Sequence, residues 1–285
     1  MKQIILTIII LASLMAQDDF VGESFDKGSI NYANRTIQAI GIGFIPTNVI
    51  NAGQARRSAM RIAKQDALRQ LIEIVNGVNV TSETTVSGAM FDDVIKTQVQ
   101  GAIRGARKVG EPKYLSDTSV EVVYEVNMSN ISRALLPMAE KAPVITYESV
   151  KSEGTISTGV SAQDGSVGSP TSSGVTGIII DGSGLGLRPA MSPRILNQSG
   201  TILYGPGQYD RDYAAANGVV GYAKTLEQAK VDARVQGNPL VLRGASASGT
   251  AKTDVVISNV DAGKLVSASR SAGLLQDCRI MFVLN

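Results

Sequence analysis

Between Asn51 and Gly77 small and apolar residues return at steps of three and four: Ala52, Ala55, Ala59, Ala63, Ala67, Leu71 and Ile74, with Ile62, Leu68 and Val75 widening the stripe. That period predicts one long amphipathic helix. Asn51 suits its N-cap and Gly77 its stop. The stripe opens on alanines, so the first half of the helix can lie very close to a sheet. Before it, Ile37 to Ile45 reads as a strand in which Gly41 and Gly43 point to close backbone approach, with the alanine-rich helix as the partner. After it, Val78, Val80, Ser82, Thr84 and Val86 alternate with Asn79, Thr81, Glu83 and Thr85, which predicts a half-buried strand.

The pattern then returns to the helical period. Ala89 to Ile103 reads as a second helix with Phe91, Val94, Ile95, Val99 and Ile103 as its apolar face. Asp92 and Asp93 fall in its first turn, where a helix dipole favours acids, and they are read that way rather than as a metal pair. Past a turn at Ser116-Asp117, Val120, Val122, Tyr124, Val126 and Met128 alternate as a strand. The sum is a β-α-β-α-β-β unit over roughly residues 35 to 130, with helices packed on a mainly antiparallel sheet.

Residues 150–175 change character. They are rich in Ser, Gly and Thr, which predicts a flexible linker. On that expectation the chain divides into a signal segment at 1–16, a polar and loosely ordered segment at 17–32, an α/β domain at 33–149, the linker, and a second α/β domain at 176–285, two domains that need not have a fixed mutual orientation in isolation. In the second domain Ile178 to Ile180 reads as a buried strand entering a glycine-rich turn at Gly182, Gly184 and Gly186. Pro189 and Pro193 prevent the helix that a phosphate loop needs. Short helices are expected at Asp210 to Asn217, Thr225 to Gln236 and Asp261 to Leu275. Strands are expected at Asn238 to Arg243, Thr253 to Ser258 and Arg279 to Leu284. The class is α+β, two small mixed domains on mainly antiparallel sheets.

Composition changes the picture chiefly by what it removes. The 285 residues include no His and no Trp, one Cys, and a formal net charge of only +2. Without His there is no Ser-His-Asp or Cys-His arrangement and no ordinary zinc set. The small charge and sparse aromatics argue against nucleic acid. Cys278, in an apolar strand, reads as a structural thiol. No catalytic, cofactor-binding or metal residue is nominated. Were the chain an enzyme, Asp181, Asp210 and Asp212 near the glycine-rich turn would be its carboxylates. The residues to watch are on the outer face of the long helix: Arg56, Arg57, Arg61, Lys64 and Arg69, set against Asp66 and Glu73. They read either as a solvated face with local ion pairs or as a contact surface for an anionic partner such as lipid, polysaccharide or nucleic acid. At the N-terminus Lys2, an apolar run from Ile4 to Met15 and a polar QDD have the shape of a secretory signal, with cleavage expected after Ala16. No Cys follows that run to accept a lipid, and no later stretch reads as a transmembrane helix.

The glycine-spaced strand at 39–43, the Ala/Arg-rich helix through AKQDAL, the VNGV turn at 75–78, the polar stretch after it and the EVVYEVNMS strand together resemble the N-terminal domain of flagellar assembly protein T, found also in flagellar protein P and related outer-membrane lipoproteins. The likeness spans about residues 33 to 135. It implies a periplasmic or outer-membrane location, self-association into a ring or disk around the flagellar rod, contacts with basal-body or outer-membrane proteins, and no catalysis. The expected function is therefore an exported structural subunit of a flagellum-associated ring. The alternative is a general envelope tether that binds peptidoglycan, outer membrane or lipid.

Overall fold

The computed structural model describes residues 20–45, 51–117, 119–136 and 174–285. The expected signal segment and all but the end of the expected linker lie outside them. In order, the elements are β1 (Gly22–Phe25), β2 (Gly28–Asn31), β3 (Thr36–Gly43), α1 (Ala52–Asn76), α2 (Val86–Ala89), α3 (Asp93–Arg104), β4 (Arg107–Tyr114), β5 (Val120–Asn127) and α4 (Met128–Leu135) in the first half. The second half contains β6 (Ile178–Asp181), β7 (Ile195–Asn197), β8 (Ile202–Tyr204), α5 (Arg211–Asn217), β9 (Gly221–Ala223), α6 (Leu226–Val231), β10 (Leu240–Ser248), β11 (Asp254–Ile257), α7 (Asn259–Ala272) and β12 (Ile280–Val283).

The first half is a five-stranded sheet in the order β1-β2-β3-β5-β4. Every neighbouring pair in it is antiparallel. α1 crosses β3 and β5. Ile37, Ala39, Gly41 and Gly43 alternate toward it and are buried, while Thr36, Gln38, Ile40 and Ile42 face away. Ala55, Ala59, Ala63, Ala67, Leu71 and Val75 are the buried stripe of α1. The two glycines are what lets helix and sheet meet. A Cβ at Gly41 would stand 2.1 Å from Ala63 O, and one at Gly43 would stand 2.0 Å from Ala59 O. Asn51 caps α1 by accepting from the Gly53 and Gln54 amides, and Gly77 ends it.

Three sequence expectations for this half are corrected. Residues 22–31 are not loose: β1 and β2 form a hairpin that lengthens the sheet, with Ile30 opposite Ile37. A hairpin added at an edge borrows its order from the strand beside it, so it carries little apolar signal of its own. Residues 78–86 are a tight loop rather than a strand. Val80 N and Thr81 N both donate to Thr84 O, and Val86 N donates to Val78 O. Its inward valines alternate because the loop is wedged between the two halves. The second helix is broken into α2 and α3, and Phe91 between them is 94% exposed. Only Val99 and Ile103 of its expected face are buried.

The second half is a seven-stranded sheet in the order β8-β7-β11-β10-β6-β12-β9. It is mixed rather than mainly antiparallel. β6 runs parallel to both β10 and β12, β12 to β9, and β11 to β7, whereas β10/β11 and β7/β8 are antiparallel. The chain passes from β9 through α6 to β10, a parallel strand that lies beyond β12 and β6 in the sheet. Burial on both faces explains the unbroken apolar runs of β6 and β12. Ile179, Met281 and Val283 pack with Ala223, Ala229 and Val235, while Ile178, Ile180, Ile280 and Phe282 face the main core. Ser258, not Asp261, caps α7, and Asp261 N donates to its Oγ at 3.0 Å. α6 ends at Val231, short of the expected Gln236.

The halves do not stand apart. Val126, Met128, Ile131 and Leu135 belong to the same continuous buried cluster as Tyr204, Ala214, Val219 and Tyr222. Tyr32 meets Tyr222 edge-on at 5.7 Å. Two arginines cap helices across the boundary in both directions. Arg35 donates to Ala215 O (3.1 Å) and to Ala216 O at the end of α5. Arg211 donates to Arg133 O (2.6 Å) and Leu136 O (3.2 Å) at the end of α4. A cation at a helix C-terminus satisfies orphan carbonyls and matches the dipole. Among the described residues the two halves thus share one continuous apolar core.

Candidate functional site

The glycine–alanine seam fixes which face of α1 looks outward, and with it the five cations singled out in the sequence. The structure divides them. Arg69 is an internal partner: it donates to Asp66 at 2.9 Å and lies 3.9 Å from Glu73. Asp66 in turn accepts from the Ile42 amide at 3.0 Å, tying the outer face of α1 to β3. Burial alone would raise the Asp66 pKa, but the Arg69 guanidinium and the Ile42 N–H outweigh it and hold the carboxyl below its ordinary value. Arg56 lies over the Tyr114 ring at 5.7 Å, and Lys64 over Tyr124 at 5.8 Å. These cations are oriented by aromatic faces, not neutralised. Arg57 and Arg61 have no carboxylate of the described residues within ion-pair distance.

Arg61, Ile62, Gln65, Asp66 and Arg69 line an open depression of about 370 Å³ on this face. It is shallow and has no second wall to exclude water. Of its two guanidinium forks Arg69 is held by Asp66, and Arg61, beside the apolar Ile62, can grip a carboxylate or phosphate. The one carboxylate present, Asp66, is engaged by two donors and is not poised as a base.

The other sequence candidates take structural roles. Asp92 caps α3, accepting from Val94 N (2.8 Å) and Ile95 N (3.2 Å), and Asp93 lies in its first turn. Asp210 caps α5, with Asp212 in the first turn. Asp181 accepts from Ser183 N at 3.0 Å. The amides of the glycine-rich turn are also spoken for: Gly182 N donates to Val283 O, Gly184 N to Asn285 Oδ1 and Leu185 N to Gly182 O. Among the described residues no group of three or more His, Cys, Asp or Glu is arranged to hold a metal. Cys278 is buried, and that burial pushes its thiol pKa up.

Sequence reasoning missed a second constellation, at the junction of the halves. Asp254 is 1% exposed. Its Oδ2 accepts from Arg194 Nε (2.9 Å) and Nη2 (2.6 Å) and from Ser82 Oγ (2.7 Å), and its Oδ1 accepts from Arg194 N (2.8 Å). Arg194 Nη2 also reaches Glu83 at 2.8 Å. Beside this network Met191 N, Ser192 N and Ala251 N donate to the carbonyls of Asn79, Val80 and Ser82. The one legible hint was Ser82, a polar residue on the inward side of an otherwise valine alternation.

The described residues thus form a mixed α+β body with an outward basic helix. Comparison with known proteins adds one finding. Residues 177–285 match the family described as Treponema pallidum Tp0624, second domain. The match lies wholly within the second half and covers well under half of the chain. No curated protein matches it.

Proposed function

We propose that the chain is an exported, non-enzymatic structural subunit of the cell envelope that associates with copies of itself in a periplasmic or outer-membrane ring or disk at the flagellum. One observation carries the reading. The glycine-spaced strand and the alanine stripe named in the family resemblance are the parts that lock α1 in place, and they present its cations outward on a rigid mount. Such a mount suits repeated, individually weak contacts that close into a ring. Mass spectrometry of purified basal bodies tests it: peptides of this chain should appear in fixed ratio to rod and ring proteins. The reading fails if the mature protein stays monomeric at every concentration and its deletion leaves motility intact.

A second reading is favoured by Arg57 and Arg61, which lack acidic partners among the described residues. In it the chain tethers an anionic envelope surface through Arg56, Arg57 and Arg61. Sedimentation with peptidoglycan sacculi or anionic vesicles should retain the wild type and lose an Arg57→Glu/Arg61→Glu variant. Equal retention of both removes this reading.

A further inference from the structure

The first sheet has two faces, and the described residues cover only one. α1, with α3 and α4 beside it, packs on the face bearing Ile37, Ala39, Val120, Val122 and Val126. No element of the described residues packs on the other. Antiparallel sheets that face water usually turn polar residues outward. Here register sets Gln38, Glu125 and Arg107 in one row, Ile40, Val123 and Val109 in the next, and Ile42, Glu121 and Lys113 in the third. Beyond it the alternation continues into Phe44, which is 60% exposed, and Leu115, which is 39% exposed. An apolar band thus runs across three strands on a face that no described element covers.

The charges of this face are matched within it. Lys113 pairs with Glu121 at 2.9 Å and Arg107 with Glu125 at 2.6 Å, while Gln38 Nε2 donates to Glu125 at 2.7 Å. A polyanion or an anionic membrane gains nothing from a neutral surface. Addition of a strand at the edge is also obstructed. β4 breaks register between Val109 and Lys113, where Gly110 takes φ +69° and Pro112 lacks an N–H. Next to the obstructed β4 edge, it is the face that is left to meet a partner.

We propose that this face pairs with the same face of a second copy of the chain, forming a two-fold dimer. The argument is charge complementarity in register. In each charged row the acid is on β5 and the base on the adjacent β4. A two-fold axis along the strands, midway between β5 and β4, sets each β4 over the β5 of the other copy. Lys113 then lies over Glu121, Arg107 over Glu125, and Val109 over Val123, across the roughly 10 Å that separates packed sheets. Phe44 and Leu115 close the end of the band. An isologous contact needs such self-complementarity.

Sedimentation equilibrium of the mature protein tests it. The wild type should dimerise, and Phe44→Glu and Leu115→Glu, both at exposed positions, should each weaken the dimer by about tenfold or more with unchanged unfolding curves. Arg57→Glu/Arg61→Glu, on the opposite side, should leave it intact. A short bis-maleimide should join Val109→Cys chains to Val123→Cys chains faster in a mixture than either with itself, since the native Cys278 is buried. A wild type that is monomeric at its highest soluble concentration overturns the proposal. So do face variants that dimerise as the wild type does, or a mixture that cross-links no faster. The dimer does not depend on the flagellar reading: absence from basal bodies would remove that reading and leave this one standing.

Discussion

Replacing Gly41 with alanine adds one methyl group where the structure leaves no room. The new Cβ would fall 2.1 Å from Ala63 O, 2.4 Å from Ala67 N and 2.7 Å from Ala67 Cβ. Comfortable contacts lie near ~3.5 Å. Two of the three atoms are backbone, so no rotamer change relieves the clash, and α1 must rise from the sheet by about 1 Å. A gap of that size forfeits roughly a quarter to a half of each dispersion contact across it. The contacts at stake are those of Ala59, Ala63 and Ala67 with Val120 and Val122. Overpacking a tight core costs about 1–3 kcal/mol, and the rigid partners here put Gly41→Ala near 3 kcal/mol, or roughly 6–12 °C in Tm for a body of this size. Urea unfolding followed by circular dichroism measures it. The matched control is Gly101→Ala in α3, where the Cβ meets nothing within 4 Å. A mid-helix glycine exchanged for alanine should gain about 0.5–1 kcal/mol. The same chemical change is thus expected to act with opposite signs at two glycines. If Gly41→Ala unfolds within about 0.5 kcal/mol of wild type at unchanged m, the close approach of helix and sheet is wrong.

Further outcomes follow from the junction and from the carboxylates. Arg194→Ala leaves Asp254 charged and buried without its principal partner and should cost about 3–5 kcal/mol in the same unfolding assay. A loss under about 1 kcal/mol would show that the junction opens to water instead. Glu125 would have its pKa raised by burial, but the Gln38 hydrogen bond and Arg107 more than offset this and hold it below 4.5. Asp66 and Glu83 are likewise depressed. A depressed folded pKa stabilises fully above the unfolded value and is lost as pH falls through the folded one. Stability should therefore be flat from pH 6 to 8, where no His titrates, and should drop below about pH 4. A steep change between pH 6 and 7 would contradict it.

The sequence disclosed what depends on neighbours along the chain. The 3.6-residue return of Ala55, Ala59 and Ala63 and the spacing of Gly41 and Gly43 are local patterns, and the contact they describe is the one observed. The cap at Asn51 was equally legible, because a cap is satisfied within three residues, whereas Asp92, expected in the first turn of its helix, is the cap itself. What stayed hidden has its cause far away in sequence. Asn79, Val80 and Ser82 fall in a stretch that alternates like a strand, yet their partners are Met191, Ser192 and Asp254. The apolar run of β6 signals burial on two faces but not the direction of its neighbours, so the parallel pairings with β10 and β12 were not foreseen. Of the five helix cations, periodicity placed all on the outer face. It could not separate Arg69, engaged by Asp66, from Arg57 and Arg61, because that distinction rests on side-chain reach.

The junction also bears on the self-association proposed above. Two modules on a flexible tether would bind partners independently and gain avidity through effective concentration. Arg35 and Arg211 cap helices of opposite halves, the Arg194–Asp254 pair is sealed between them, and the apolar cluster is continuous. An interface of this kind transmits orientation. A contact made through α1 fixes the seven-stranded sheet in space as well, and a two-fold contact through the open face of the first sheet would carry two copies of that second half at one set angle. Any ring built from such units would draw its curvature from the junction rather than from a linker. Loosening Arg194–Asp254 should then broaden the distribution of assembly sizes before it reduces the affinity of any single contact. Sedimentation velocity of Arg194→Ala, below the denaturation threshold, would separate the two: a narrow distribution shifted to smaller species would mean that the junction contributes affinity and not geometry.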